Sequence, residues 1–132
     1  MLLSIIVGAL ALFFFGFLWY GPVFGKQWIK LSGMTPEQVS AGANQSMIWR
    51  MLTALAMSVV TAWVVYFLNT QLFSLSPLEF IMGVLMVWAG FALPLHLNGL
   101  LWESKSGKLV LFNIAESALS FVLLATTSFY LS

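Results

Sequence analysis

The chain alternates long apolar runs with short polar breaks. Four runs, Leu2 to Tyr20, Met47 to Leu68, Leu78 to about Asn98 and Leu109 to Leu131, are each long enough to cross a hydrocarbon layer about 30 Å thick at about 1.5 Å of rise per residue. They predict an all-α, polytopic membrane protein: one four-helix transmembrane domain over residues 1–132. The first run has no Lys or Arg before it and no small-x-small site after it, so it is expected to remain a helix rather than to be cut as a signal peptide.

The breaks carry their own local patterns. After Trp19-Tyr20, the pair Gly21-Pro22 stops the first helix. The string from Trp19 through Tyr20, Gly21, Pro22, Phe24, Gly25 and Lys26 to Trp28 reads as a turn at headgroup level, with its aromatic rings in the interface and Lys26 and Lys30 reaching anionic lipid. Thr35-Pro36-Glu37-Gln38 is a capping-box start, so a short interfacial helix is expected from Pro36 to about Ala43. Asn44-Gln45-Ser46 ends it, and Ser46 can cap the second span. In that span Ala54, Ser58 and Ala62 stand four apart, the small-residue spacing that lets helix backbones approach closely. It motivates a homo-oligomer, most simply a dimer. In the third span Glu79 lies near the helix N-terminus, where a carboxylate is favoured, and Pro94 is expected to kink the helix and free the Gly90 carbonyl.

Composition narrows the class. Only 7% of residues are charged and 61% are hydrophobic, against about a quarter charged in soluble domains, so a water-facing surface cannot be covered. All five Lys and Arg lie between spans one and two or three and four, or just inside the flanking helix ends. The positive-inside rule then puts both loops in the cytoplasm and both termini outside. With no Cys and one His, disulfides and thiolate metal sites are excluded, and too few nitrogen ligands remain for zinc; no cofactor is expected. Five scattered cations make no nucleic-acid stripe. The expected partners are the bilayer, other copies of the chain and an unidentified small molecule or ion.

The candidate chemistry sits on the fourth span. Asn113, Glu116, Ser117, Ser120 and Thr127 share one face at 3.6 residues per turn. Glu116 lies about 12 Å past Lys108 along the helix, well inside the hydrocarbon, where a carboxylate is costly and needs a partner or a wet cavity. Arg50 is the candidate partner, about 5 Å nearer the membrane edge, with His96 able to join; Arg50, His96, Asn113, Glu116, Ser117 and Ser120 form the predicted intramembrane network. Two functions fit. In the first, which is the main reading, the network is satisfied and the protein is a structural or accessory oligomeric component. In the second, it is a small oligomeric transporter or permeation protein with Glu116 as its coupling acid. No acid pair, nucleophile–base pair or metal motif stands at a usable spacing, so an enzyme is not expected.

The string Trp19-Tyr20-Gly21-Pro22-Val23-Phe24-Gly25-Lys26-Gln27-Trp28, together with Leu101-Trp102-Glu103-Ser104-Lys105, Leu109, Phe112 and Asn113-Ile114-Ala115, resembles the bacterial membrane family catalogued as domain of unknown function 1761. The resemblance implies a four-helix integral membrane protein of bacterial type, hence one of the cytoplasmic (inner) membrane. It supplies no activity, substrate or catalytic residue.

Overall fold

The computed structural model of the protein describes residues 1–43, 47–71 and 76–131. These residues form six α-helices and no strand: α1 (Leu2–Leu18), α2 (Gly25–Ser32), α3 (Pro36–Ala43), α4 (Met47–Gln71), α5 (Pro77–Trp102) and α6 (Gly107–Leu131). A wide, π-type turn, Trp19–Val23, joins α1 to α2. The four long helices are long and apolar enough to cross a membrane.

Local side-chain chemistry sets the starts of α3, α5 and α6. At the start of α3, the Thr35 N–H donates to Gln38 Oε1 (2.8 Å) and the Gln38 N–H to Thr35 Oγ1 (3.2 Å), the expected capping box. At the start of α5, the Ser76 N–H donates to Glu79 Oε2 (2.8 Å) and the Glu79 N–H to Ser76 Oγ (3.3 Å), with Pro77 in the first turn. Glu79 therefore acts as a cap. Helix α5 passes through Pro94 and ends at Trp102, beyond the expected end near Asn98; in hydrocarbon, giving up one backbone bond at a proline costs less than exposing a whole helix end. The reversal into α6 is tight: Ser104 is left-handed (φ 55°), the Lys105 N–H reaches back to the Gly99 carbonyl (3.1 Å), and Ser106 Oγ accepts the Leu109 N–H (3.1 Å). Asn44-Gln45-Ser46, with the expected Ser46 cap, lie outside the described residues.

The connection between the first two spans differs from expectation. Residues 19–28 are not one turn, because α2 forms within them and makes a second short helix before α3. The reason is periodic: Trp28, Ile29 and Leu31 are half-buried while Lys26, Gln27 and Lys30 are exposed, an amphipathic pattern suited to the interface plane. Gly33, with φ of 70°, ends α2 in the left-handed conformation that glycine adopts without penalty.

Helix α6 is central and packs against α1, α4 and α5, while α1 also packs along α4. Helices α1 and α5 run antiparallel to α6, and α4 runs parallel to it, with Asn69 beside Ser128. Gly8 of α1 lies beside Leu124, whereas Gly16 lies beside Glu116; in α5, Phe80 meets Phe129 and Trp88 meets Ser117. All five Lys and Arg consequently gather at one end of the bundle. Helix α1 approaches α4 and α6 closely at Gly8, where an added Cβ would stand 3.0 Å from Leu124 Cδ1 and 3.6 Å from the Ala62 Cβ. Such close approach holds helices together where lipid tails compete for every apolar contact. The main buried cluster, Ile5, Ala9, Ala62, Val65, Phe80, Val84, Leu124 and Ala125, lies in the half away from the cations, while Leu109 and Val110 are buried near the start of α6. A buried hydrogen bond from Asn69 Nδ2 to the Ser128 carbonyl (3.2 Å) ties α4 to α6 in that half.

Ser58 and Ala62, two members of the small-residue stripe on which association between copies was expected, are buried within the single chain. The third, Ala54, is exposed. The stripe serves packing inside the bundle, because α1 brings its own small residues, Ser4, Gly8 and Ala9, to buried positions.

Candidate functional site

In the cationic half the helices part. Between residues 12–20, the end of α1 and the turn after it, and residues 50–58 of α4 lies an open cleft of about 470 Å³, walled by Leu12, Phe13, Phe17, Met51 and Met57 and reaching Glu116 of α6. Helix α1 presents Gly16 here: an added Cβ would lie 3.8 Å from Glu116 Oε1, so the absence of a side chain keeps the carboxylate reachable. The cleft also takes in Tyr20, Arg50 and Ser58.

The polar stripe of α6 divides among its neighbours because it spans an arc rather than a line. At about 100° per residue, Glu116 and Ser117 occupy opposite edges of that arc, with Asn113 and Ser120 between them. On the α1 side, Tyr20 Oη donates to Asn113 Oδ1 (2.9 Å) and Ser120 Oγ donates to Glu116 Oε1 (2.8 Å). On the α5 side, Trp88 Nε1 donates to Ser117 Oγ (2.8 Å). The six predicted network residues thus fall into separate contacts. His96 is half-buried on α5, within the electrostatic reach of Lys105, and does not line the cleft.

Arg50 and Glu116, expected to pair, border the same cleft. On the surface, Lys105 pairs with Glu103 at 3.0 Å. Arg50 is an exposed residue in the first turn of α4, and Glu116 is already held by Ser120 one turn along its own helix. Among the described residues, no three His, Asp or Glu side chains come together as a metal site would require.

The interfacial string turns inward as well as outward. Trp19 packs on Phe24 (4.7 Å between ring centroids) and on Phe112 (5.3 Å), and Tyr20 on Trp28 (5.8 Å) and Phe112 (5.9 Å). Phe112 is the hub, so the turn clasps the start of α6, while Lys26 remains exposed. Sequence reasoning placed these rings in the lipid interface, took Ser58 only as a packing residue, and missed Gly16 and Trp88. The recurrence of aromatic residues beside Asn113 was the available clue for Phe112; nothing in the local pattern around Gly16 marks it.

A family model described as protein of unknown function (DUF1761) matches residues 3–128. No curated protein and no solved structure matches the chain.

Proposed function

The chain belongs to the DUF1761 family, and we propose that it is a small membrane transport or permeation protein that takes up a lipophilic, cationic molecule in the α1–α4 cleft. The observation that carries this reading is the position of Glu116, in a cleft with apolar walls rather than within the packed core. An intramembrane carboxylate at such a place is a functional site by default, and Ser120 orients it by donating to one oxygen. The apolar walls suit a hydrophobic body, and a single acid suits one positive charge or one exchanged proton. A purely structural role, with Glu116 closing a packed polar network, has less support: Asn113, Ser117 and Glu116 each turn to a different partner.

The working protein is proposed to sit in the bacterial inner membrane with both termini outside. The gathering of all five cations at one end of the bundle supports this orientation. A dimer is the proposed assembly, since a cleft open along one side is closed most simply by a second copy.

Binding of tetraphenylphosphonium to the purified protein in lipid nanodiscs tests the reading. Wild-type protein should bind it, and Glu116→Gln should weaken binding at least about tenfold, near 1.4 kcal/mol, with helicity retained. Equal binding by both proteins would contradict it.

A further inference from the structure

A second groove lies at the cationic end and shares no residue with the Glu116 cleft. It runs between α2 and the start of α6, encloses about 330 Å³, and is walled by Trp19, Phe24, Leu31 and Phe112, with Gln27 and Lys108 as polar members. Two independent observations point to a ligand. First, Trp19 Nε1 is buried with no acceptor among the described residues, whereas a buried indole N–H normally has one. Second, Lys26 and Lys30, four apart on α2, flank the Gln27–Leu31 row, and like Lys108 both are exposed. Among the described residues none of these three lysines is in an ion pair.

We infer that this groove binds one anionic phospholipid from the leaflet on the cationic side of the bundle. An acyl chain lies along the Phe24–Phe112 wall, the phosphate is held by Lys108 and the α2 lysines, and an ester or phosphate oxygen accepts the Trp19 N–H. Apolar walls exclude a free phosphate as the natural occupant. No Asp or Glu lines the groove to receive the cation of a zwitterionic headgroup. A two-fold contact with a second copy would set the same lysines against each other.

Native mass spectrometry of the full chain in detergent tests this, with phosphatidylglycerol, phosphatidylcholine and glycerol 3-phosphate added separately. Phosphatidylglycerol should be retained about fivefold or more over phosphatidylcholine, and glycerol 3-phosphate should not bind. Lys108→Gln should weaken phosphatidylglycerol retention about fivefold. Lys105→Gln, at a residue paired with Glu103 outside the groove, should leave it unchanged. Ala115→Trp, which fills the groove, should abolish it; if that variant fails to fold, the comparison of Lys108 with Lys105 decides. Equal retention of the two lipids, binding of glycerol 3-phosphate, or equal effects at Lys105 and Lys108 would overturn the inference.

Discussion

Tyr20 Oη donates a 2.9 Å hydrogen bond to Asn113 Oδ1 across 93 residues of chain, joining the end of the first span to the start of the fourth. The bond sits where α1 leaves the membrane, between the aromatic clasp on Phe112 and the Glu116 cleft. It thereby fixes the α1 wall of the cleft against the helix that carries the acid.

Tyr20→Phe keeps the ring contacts and removes the donor. It should lower stability by about 1 kcal/mol, and Asn113→Ala by a similar amount. The double variant should lose less than the sum by about 0.5 kcal/mol or more. Unfolding in graded sodium dodecyl sulfate, followed by circular dichroism, measures all three. Additive losses would show that the two side chains are not coupled.

At Gly8 there is no room. Gly8→Leu must displace Leu124 and spread α1 from α6, at a cost of about 1–3 kcal/mol in the same assay. Gly83→Ala is the control, since an added Cβ there meets nothing within 4 Å, and its effect should stay within about 0.5 kcal/mol.

Two turn positions should respond in opposite directions. Ser104 holds a left-handed conformation that glycine adopts freely, so Ser104→Gly should be neutral or stabilise by up to about 1 kcal/mol. Gly33 holds the same conformation without a side chain, and Gly33→Ala should destabilise by about 1 kcal/mol. Thermal melts in detergent distinguish the signs.

The proposed orientation across the membrane rests on the cations at one end of the bundle. Reporter fusions at the C-terminus and after Ser104 should report opposite compartments, with the Ser104 site cytoplasmic. A Ser104 site reported outside would reverse the assignment, and matching reports would overturn the topology.

What could be read from the sequence was what residues do to their near neighbours. The four spans follow from apolar length, and the cap of α3 follows from Thr35 and Gln38, because partners three residues apart need no knowledge of the fold. Helix α2 was hidden by its brevity and by Gly21-Pro22 in front of it, although its Lys26–Lys30 and Trp28–Leu31 spacings are helical. Contacts between spans were harder. Tyr20 with Asn113 and Trp88 with Ser117 depend on the rotation of each helix, which hydropathy leaves open when every face is apolar. The stripe at Ala54, Ser58 and Ala62 did mark close packing, but spacing alone does not say whether the partner belongs to the same chain. Arg50 and Glu116 were opposite charges at nearly matching depth. Depth brought them to one cleft, where Ser120 bonds the carboxylate of Glu116.

The central claim is that Glu116 faces an accessible cleft whose occupant competes for its carboxylate. Labelling with the lipophilic reagent dicyclohexylcarbodiimide, read by peptide mass spectrometry, tests it at the residue itself. The account predicts a stable adduct on Glu116, absent in Glu116→Gln and suppressed by excess tetraphenylphosphonium. A Glu116 that does not react, or one that reacts equally with and without the cation, would contradict it.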